Sequence, residues 1–550
     1  MTLGEKIAVL RTGLRLSQEQ LAEKLQVSRQ SVSKWESGKN APDLKTVVAL
    51  SELFAVSTDT LLREELPLAP TDMEPLFRPK ENADEKLKYF GTDGFRGEAN
   101  AALTADHAYK IGRFLAWYFA SPLSGCREEN HKTRVIVGKD TRLSSYMFEY
   151  ALVAGLTAGG ADAYMLHVTT TPSVSYAVRQ EDFDCGVMIS ASHNPYYDNG
   201  IKLVNAGGEK METETLLLAE KYLDGDLKAL GLKDGRTDLP TARREHIGRI
   251  FDYAAGRNRY VGFLISTAAN SYKGRHIALD CANGASWMIA RAVFGALGAR
   301  VSVIGDEPDG LNIDAGVGST HIGALQKFVR QSRCDAGFAF DGDADRCIAV
   351  DEHGNVLNGD HIVFVLAQAL RSKGLLKGDR VVSTVMSNLG FFKALEAAGI
   401  RCVQTTVGDK YVHDAMVEHD CSLGGEQTGH IIVRKYASTG DGILTAILLT
   451  ERMIETKQPL SALAAPVKTY PQTLKNVAVK NKAAVTADPR VQAKLAELKA
   501  RLGDSGRILL RESGTEPVVR VMAESSSRKA CEAAAAELAE LIAALGYARK

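Results

Sequence analysis

The feature that most constrains the fold is a rhythm along the chain. Short apolar runs at residues 134–137, 187–189, 276–279, 336–340 and 380–385 each stop at Gly, Asp, Asn or Ser, and helical spacing fills the stretches between them. Runs of this length and punctuation predict buried strands, and their alternation with helices predicts α/β units. With 550 residues the chain exceeds one ordinary core, so several similar units in series are expected, although no strict internal repeat is visible. The last part differs. Residues 477–479, 508–510 and 518–522 read as strands and about 490–502 and 528–545 as helices, which predicts a smaller α+β domain.

The first sixty residues belong to another class. Leu3, Ile7, Leu10 and Leu14 recur at helical spacing, and Ser17-Gln18-Glu19-Gln20 has the form of a capping box opening a second helix. Ser28 can cap a third helix running through Trp35, with Gly38 as its stop. Two short helices joined by a tight turn around Gln26 and Val27 form a helix-turn-helix, whose second helix enters the major groove of DNA. Arg29, Gln30, Ser33 and Lys34 would face outward, and Gln18 and Ser28 join them as candidate DNA contacts. A small helical bundle serving dimerisation fits the same pattern. Charge does not separate the two, because residues 1–63 carry nine Lys and Arg against seven Asp and Glu. Residues 64–87, charged and containing Pro67, Pro70, Pro75 and Pro79, read as a linker.

Composition narrows the function classes. Lys and Arg equal Asp and Glu at 67 each, so nucleic acid or membrane would have to be met by a local patch and not by the whole surface. No apolar run is long enough to span a bilayer and the start shows no signal-peptide core, so a cytoplasmic location and no membrane partner are expected. Eight cysteines from Cys126 to Cys531 include no C-x-x-C pair, which makes packed, reduced thiols the expectation.

Four loops carry the chemistry. Ser190-Ala191-Ser192-His193-Asn194-Pro195 follows an apolar run and lifts Ser192 to the rim of a sheet as a candidate covalent carrier. Asp341-Gly342-Asp343-Ala344-Asp345-Arg346 places three carboxylates at alternate positions, which need a cation; hard oxygen ligands suit Mg²⁺. An EF-hand is excluded because Arg346 stands where its sixth position requires Gly, whereas a solvated acidic turn fits as well. Gly424-Gly425-Glu426-Gln427-Thr428-Gly429-His430 offers a carboxylate, an amide and a hydroxyl to sugar hydroxyls, or is a plain turn. Arg511-Glu512-Ser513-Gly514-Thr515-Glu516-Pro517, with Arg520 after it, has the composition of a phosphate cradle.

Together with residues 89–97, with Gly138-Lys139-Asp140-Thr141-Arg142 and with Asn199-Gly200-Ile201-Lys202, these loops resemble the α-D-phosphohexomutase superfamily, in particular its bacterial phosphoglucosamine mutase branch. Residues 7–62 resemble the Cro-like phage-repressor DNA-binding domains. The implied architecture is a helix-turn-helix domain over 1–63, the linker 64–87, and four mutase domains over 88–245, 246–357, 358–470 and 471–550, three of them related α/β units and the last a smaller α+β lid. The resemblance implies that Ser192 carries a phosphoryl group, and that Asp341, Asp343, Asp345 and a phosphate oxygen on Ser192 hold Mg²⁺. Glucosamine 6-phosphate and glucosamine 1-phosphate would interconvert through a 1,6-bisphosphate, with Arg346 offsetting charge. Glu426 and Thr428 would grip ring hydroxyls, and Arg511, Ser513, Gly514, Thr515 and Arg520 the idle phosphate. Acid and base duties fall to Lys202 and Arg96, with His193 and His430 assisting; Lys202 leads, on the premise that a desolvated, cation-crowded amine loses its proton near neutral pH.

Two departures stand out: the N-terminal unit itself, and Ala344 and Thr428 where the family commonly has Gly and Ser. The expected partners are a hexosamine phosphate and, through the first unit, duplex DNA; a homodimer is the expected assembly. Two alternatives remain open at this stage. A phosphoglucomutase or phosphomannomutase would differ in its sugar panel, and a sugar-phosphate-sensing regulator would have no use for a carrier serine.

Overall fold

The computed structural model describes residues 2–13, 16–25, 27–54, 61–62, 87–91, 93–124, 131–232, 236–512 and 517–547. It divides into two compact units, Met1–Lys86 and Leu87–Lys550.

In the first unit, helices Leu3–Gly13, Gln18–Lys24, Arg29–Glu36 and Leu44–Phe54 enclose a small core that includes Ile7, Leu21, Val32, Trp35 and Leu50. The expected capping box forms in both directions: the Gln20 amide N–H donates to Ser17 Oγ at 3.1 Å and the Ser17 N–H to Gln20 Oε1 at 2.8 Å. Ser28 caps the third helix by accepting from the Ser31 N–H at 3.1 Å. Glu36 then ties the unit together, accepting from Arg11 Nε at 2.5 Å and from Gln18 Nε2 at 2.8 Å. Of the expected turn residues, Gln26 lies outside the described residues, as does most of the linker.

The second unit contains four sheets. The first has seven strands in the spatial order Phe90–Gly91, Gly94–Glu98, Asp198–Asn205, Cys185–Ile189, Arg134–Lys139, Asp162–Val168 and Ile250–Asp252. The second orders Val356–Leu357, Cys347–Asp351, Ala336–Phe340, His276–Asp280 and Arg300–Ile304; the third Arg401–Thr405, Arg380–Thr384, Leu423–Gly425 and Ile431–Val433. In each, parallel strands meet an antiparallel hairpin, 185–205, 336–351 and 423–433 respectively, and in the first and second sheets further antiparallel strands lie beyond it. The fourth sheet, Gln472–Ala478, Val518–Ser525 and Gly506–Glu512, is wholly antiparallel. Parallel cores covered by helices need apolar residues on both faces, and Cys185–Ile189, Ala336–Phe340 and Cys347–Asp351 are buried throughout.

Ile250–Asp252 pairs in parallel with Asp162–Val168, so the first sheet runs beyond the boundary expected at residue 245. A three-residue edge strand is too short to leave a periodic signal. Cores follow the sheets with one exception. The second and third sheets share a continuous apolar cluster in which Phe338 and Phe364 belong together, whereas the first and fourth keep their own. Among the described residues no helix is long and apolar enough to cross a membrane.

Candidate active site

Three of the four chemical loops lie in the turn of an antiparallel hairpin, residues 190–197, 341–346 and 426–430, and the fourth falls between the antiparallel strands Gly506–Glu512 and Val518–Ser525. Such turns sit at the carboxyl ends of the first strand of each hairpin, where α/β folds collect ligands. In the fourth loop Ser513, Gly514 and Thr515 lie outside the described residues.

Ser192 is fully buried and its backbone is left-handed, with φ at +53°. That conformation is imposed by a network rooted in Asp140, itself fully buried. Asp140 accepts from Arg142 Nε at 2.8 Å, Ser145 Oγ at 2.7 Å and Ser190 Oγ at 2.7 Å, and Ser190 Oγ accepts the Ser192 N–H at 2.9 Å. Arg142 donates to the Ser192 carbonyl at 2.6 Å and to the carbonyls of Pro195 and Asp198. The loop is thereby held from below at both ends. Its Ser192 Oγ donates to Asp341 Oδ2 at 2.5 Å and lies 3.3 Å from His193 Nδ1. Close packing brings the two loops together, since a Cβ at Gly342 would stand 2.5 Å from the Ser192 carbonyl oxygen.

Asp341, Asp343 and Asp345 offer oxygens within 4.8 Å of one another. Burial and the two neighbouring carboxylates push Asp341 well above the usual carboxylate range. Asp343 Oδ1 and Asp345 Oδ1 are buried without a hydrogen-bond partner. Buried oxygens without donors, on crowded carboxylates, fit a hard divalent cation such as Mg²⁺. Ala344 takes φ of +57°, the conformation that a glycine at this position would adopt more easily.

The cationic side chains meet these carboxylates from three directions. Lys202 Nζ lies 2.7 Å from Asp343, 3.1 Å from Asp93 and 3.3 Å from Asp345. Burial disfavours its charge, but the three carboxylates outweigh burial and raise its pKa well above the ordinary value. The premise of a cation-crowded amine is therefore corrected: anions surround Lys202 and hold its proton. Arg96 binds Asp93 and donates to Asn194 Oδ1 at 3.2 Å, beside the carrier loop. Arg346 Nε stands 3.9 Å from both Asp341 and Asp345. Burial, with Arg346 and Arg96 near, pushes His193 down to about 4, so it is neutral near pH 7.

The Glu426 loop joins the three-Asp loop through a backbone bridge, Arg346–His430, and through the Cys347 N–H donating to the Gly429 carbonyl at 2.9 Å. His430 Nε2 accepts the Gly440 N–H at 2.8 Å, and its Nδ1 lies 3.8 Å from Asp409. Glu426 accepts the Gly408 N–H at 3.1 Å, and Thr428 is exposed beside it. A cavity of about 460 Å³ lies here, lined among others by Tyr89, Arg96, Arg346, Glu426, Thr428 and His430. Asp93 and Asp409 also line it, and neither was assigned a role from sequence. Lys210 bridges them at 3.2 and 2.6 Å. Asp93 lay inside a recognised motif; Asp409 opens the helix Asp409–Glu418 just after a strand, a position that could have flagged it.

Arg511 and Arg520 are direct cross-strand partners in the fourth sheet. Burial and Arg520 lower the Arg511 pKa, and like charges so placed are relieved by an anion. In the first unit Arg29, Gln30, Ser33 and Lys34 are exposed as expected. Ser28 is exposed too, its hydroxyl accepting from the helix end, and the half-buried Gln18 amide donates to Glu36.

The chain matches the phosphoglucomutase/phosphomannomutase α/β/α domain I over residues 87–227, domain II over 258–354, domain III over 358–470 and the C-terminal domain over 474–541. Residues 7–61 match a helix-turn-helix family. A phosphoglucosamine mutase of Lachnospira eligens is 56% identical over 461 residues, covering 84% of this chain and 99% of that protein. That of Bacillus subtilis is 46% identical, covering 83% and 98%. Among solved structures, a phosphoglucomutase/phosphomannomutase family protein from Burkholderia thailandensis superposes with TM-score 0.69 at 23% identity, covering 84% of this chain and 99% of that one. Aspergillus fumigatus N-acetylphosphoglucosamine mutase, solved with GlcNAc-6P and magnesium, gives 0.58 at 21% identity, covering 83% and 96%. The chain belongs to the phosphoglucomutase/phosphomannomutase family, in its phosphoglucosamine mutase branch, and carries a helix-turn-helix domain ahead of the mutase domains.

Proposed function

We propose that the chain converts glucosamine 6-phosphate to glucosamine 1-phosphate by way of a phosphoserine at Ser192 and a 1,6-bisphosphate. The observation that carries this reading is the buried Ser192 hydroxyl seated on Asp341, where the carrier loop meets the three-Asp loop. In the first half-reaction the phosphoserine P–O bond breaks as a P–O bond forms to the C1 hydroxyl, and the hydroxyl proton leaves while Ser192 Oγ regains one. After the bisphosphate turns over, Ser192 Oγ takes the 6-phosphoryl group and the proton movement reverses. His193 Nδ1, neutral and 3.3 Å from Ser192 Oγ, is placed to take and return that proton. Lys202 and Arg346 supply positive charge to the phosphoryl oxygens, and Arg96 orients the carrier loop through Asn194. Asp341, Asp343 and Asp345 would hold a divalent cation, which when bound supplies charge against the phosphoryl oxygens. Glu426 and Thr428, with His430 behind them, serve the ring hydroxyls. Arg511 and Arg520, with Ser513, Gly514 and Thr515, serve the phosphate that is not reacting.

Ser192→Ala is the direct test. Turnover should fall at least about 10⁴-fold with the circular dichroism spectrum unchanged, and the phosphopeptide should vanish from the mass spectrum. Comparable rates in variant and parent would end this mechanism.

For the first unit we infer binding to duplex DNA through the exposed face of the helix Arg29–Glu36. The support is its helix-turn-helix match and four outward polar residues. In titrations of the full chain at fixed salt, Arg29→Ala and Lys34→Ala should each weaken binding several-fold. Parent protein that shows no preference among duplexes would favour an interaction module.

A further inference from the structure

The three-Asp loop is not held by its own unit alone. Thr171, at the start of the helix Thr171–Gln180 in the first α/β unit, reaches Asp343 twice. Its backbone N–H donates to the Asp343 carbonyl at 3.0 Å, and its side-chain hydroxyl donates to Asp343 Oδ2. Lys202 Nζ occupies the same Oδ2 at 2.7 Å. Oδ1 of that carboxylate is buried and has no hydrogen-bond partner. One oxygen of Asp343 is thus filled twice over and the other kept bare.

We propose that Thr171 is a positioning residue for the metal centre: its hydroxyl fixes the rotation of the Asp343 carboxylate so that Oδ1 is the oxygen offered to the cation. The inference rests on the metal reading of the preceding subsection. Local sequence supports the rigidity it needs. Thr170 caps the helix by accepting the Ser173 N–H at 3.3 Å, and Pro172 presets the first turn. Thr171 is itself buried, and a β-branched side chain has few rotamers to choose from. A carboxylate with both oxygens free would swing. Here rotation would break two hydrogen bonds, so the ligand oxygen is chosen before the metal arrives. Because Thr171 comes from the unit that carries Ser192, docking of that unit and readiness of the metal ligands become one event.

The test is metal affinity, read apart from turnover. Mn²⁺ titrations of the full-length, dephosphorylated protein are followed by electron paramagnetic resonance for the parent, Thr171→Val and Thr171→Ser. Valine keeps the shape and the backbone N–H but removes the hydroxyl; serine restores it. Thr171→Val should bind Mn²⁺ about 10–100-fold more weakly, and Thr171→Ser within about threefold of the parent. Thr171→Val binding within about threefold of the parent would overturn the proposal, as would a serine variant as weak as the valine one. A parent that binds no Mn²⁺ at millimolar concentration would remove the metal reading itself, and this inference with it. Should the valine variant fail to fold, Thr171→Ala against Thr171→Ser gives the same contrast.

Discussion

The carrier loop and the metal loop touch, yet their polar groups are in opposite states. Beneath Ser192 both oxygens of Asp140 are filled, and Arg142 spends its guanidinium on Asp140 and three carbonyls. Around Asp341 the carboxylates are crowded, two of their oxygens have no donor, and Asp314 behind Gly342 is buried with neither oxygen bonded. One loop uses buried charge to fix a shape. The other withholds hydrogen bonding for a ligand.

Substitutions on the two sides should therefore act with opposite sign. Asp140→Asn leaves Arg142 buried beside a neutral amide and should cost about 3–5 kcal/mol in chemical denaturation; a loss under about 1 kcal/mol would mean that the network is not what holds the loop. On the other side, metal should stabilise: at a hundredfold excess over its dissociation constant, Mn²⁺ should add about 2.7 kcal/mol, and Asp343→Asn should erase most of that gain in thermal melts. Asp341→Asn, which relieves crowded charge, should raise the melting temperature of the metal-free protein.

Asp314 sharpens the contrast through pH. Burial, opposed by Arg142 and aided by Asp343, pushes it up to about 8. Its unfolded value is about 4, so the native protein holds an extra proton between about pH 4 and 8, and stability falls as pH rises through that window. Asp314→Asn should flatten this slope in melts across the range; an unchanged slope would place its source elsewhere. The smallest effect belongs to Ala344→Gly, which exchanges left-handed strain for chain entropy and should gain about 0.5 kcal/mol.

What was legible in the sequence was what is contiguous in it. The Ser192 and three-Asp loops each announce themselves within six residues, and the strand rhythm located the strand that leads into each. Missing were partners from distant segments: Thr171 lies 172 positions from Asp343, and Lys202 is 141 from the same residue. For that reason the environment of Lys202 was misjudged, since no local pattern shows which charges a fold will bring across a cleft. The direction of His430 is of the same kind, decided by one backbone N–H from Gly440.

The shared core of the second and third sheets has a bearing on the proposed cycle. Phe338 and Phe364 pack in one cluster, and the backbone bridge Arg346–His430 joins the two loops above it, so the loop proposed to grip the ring and the loop that bears the carboxylates stand on a single ledge. In the proposed cycle such a ledge would stay in place between half-reactions. The bisphosphate of that cycle would turn over against the ledge, and release of its idle phosphate would fall to the arginine pair on its separately cored sheet.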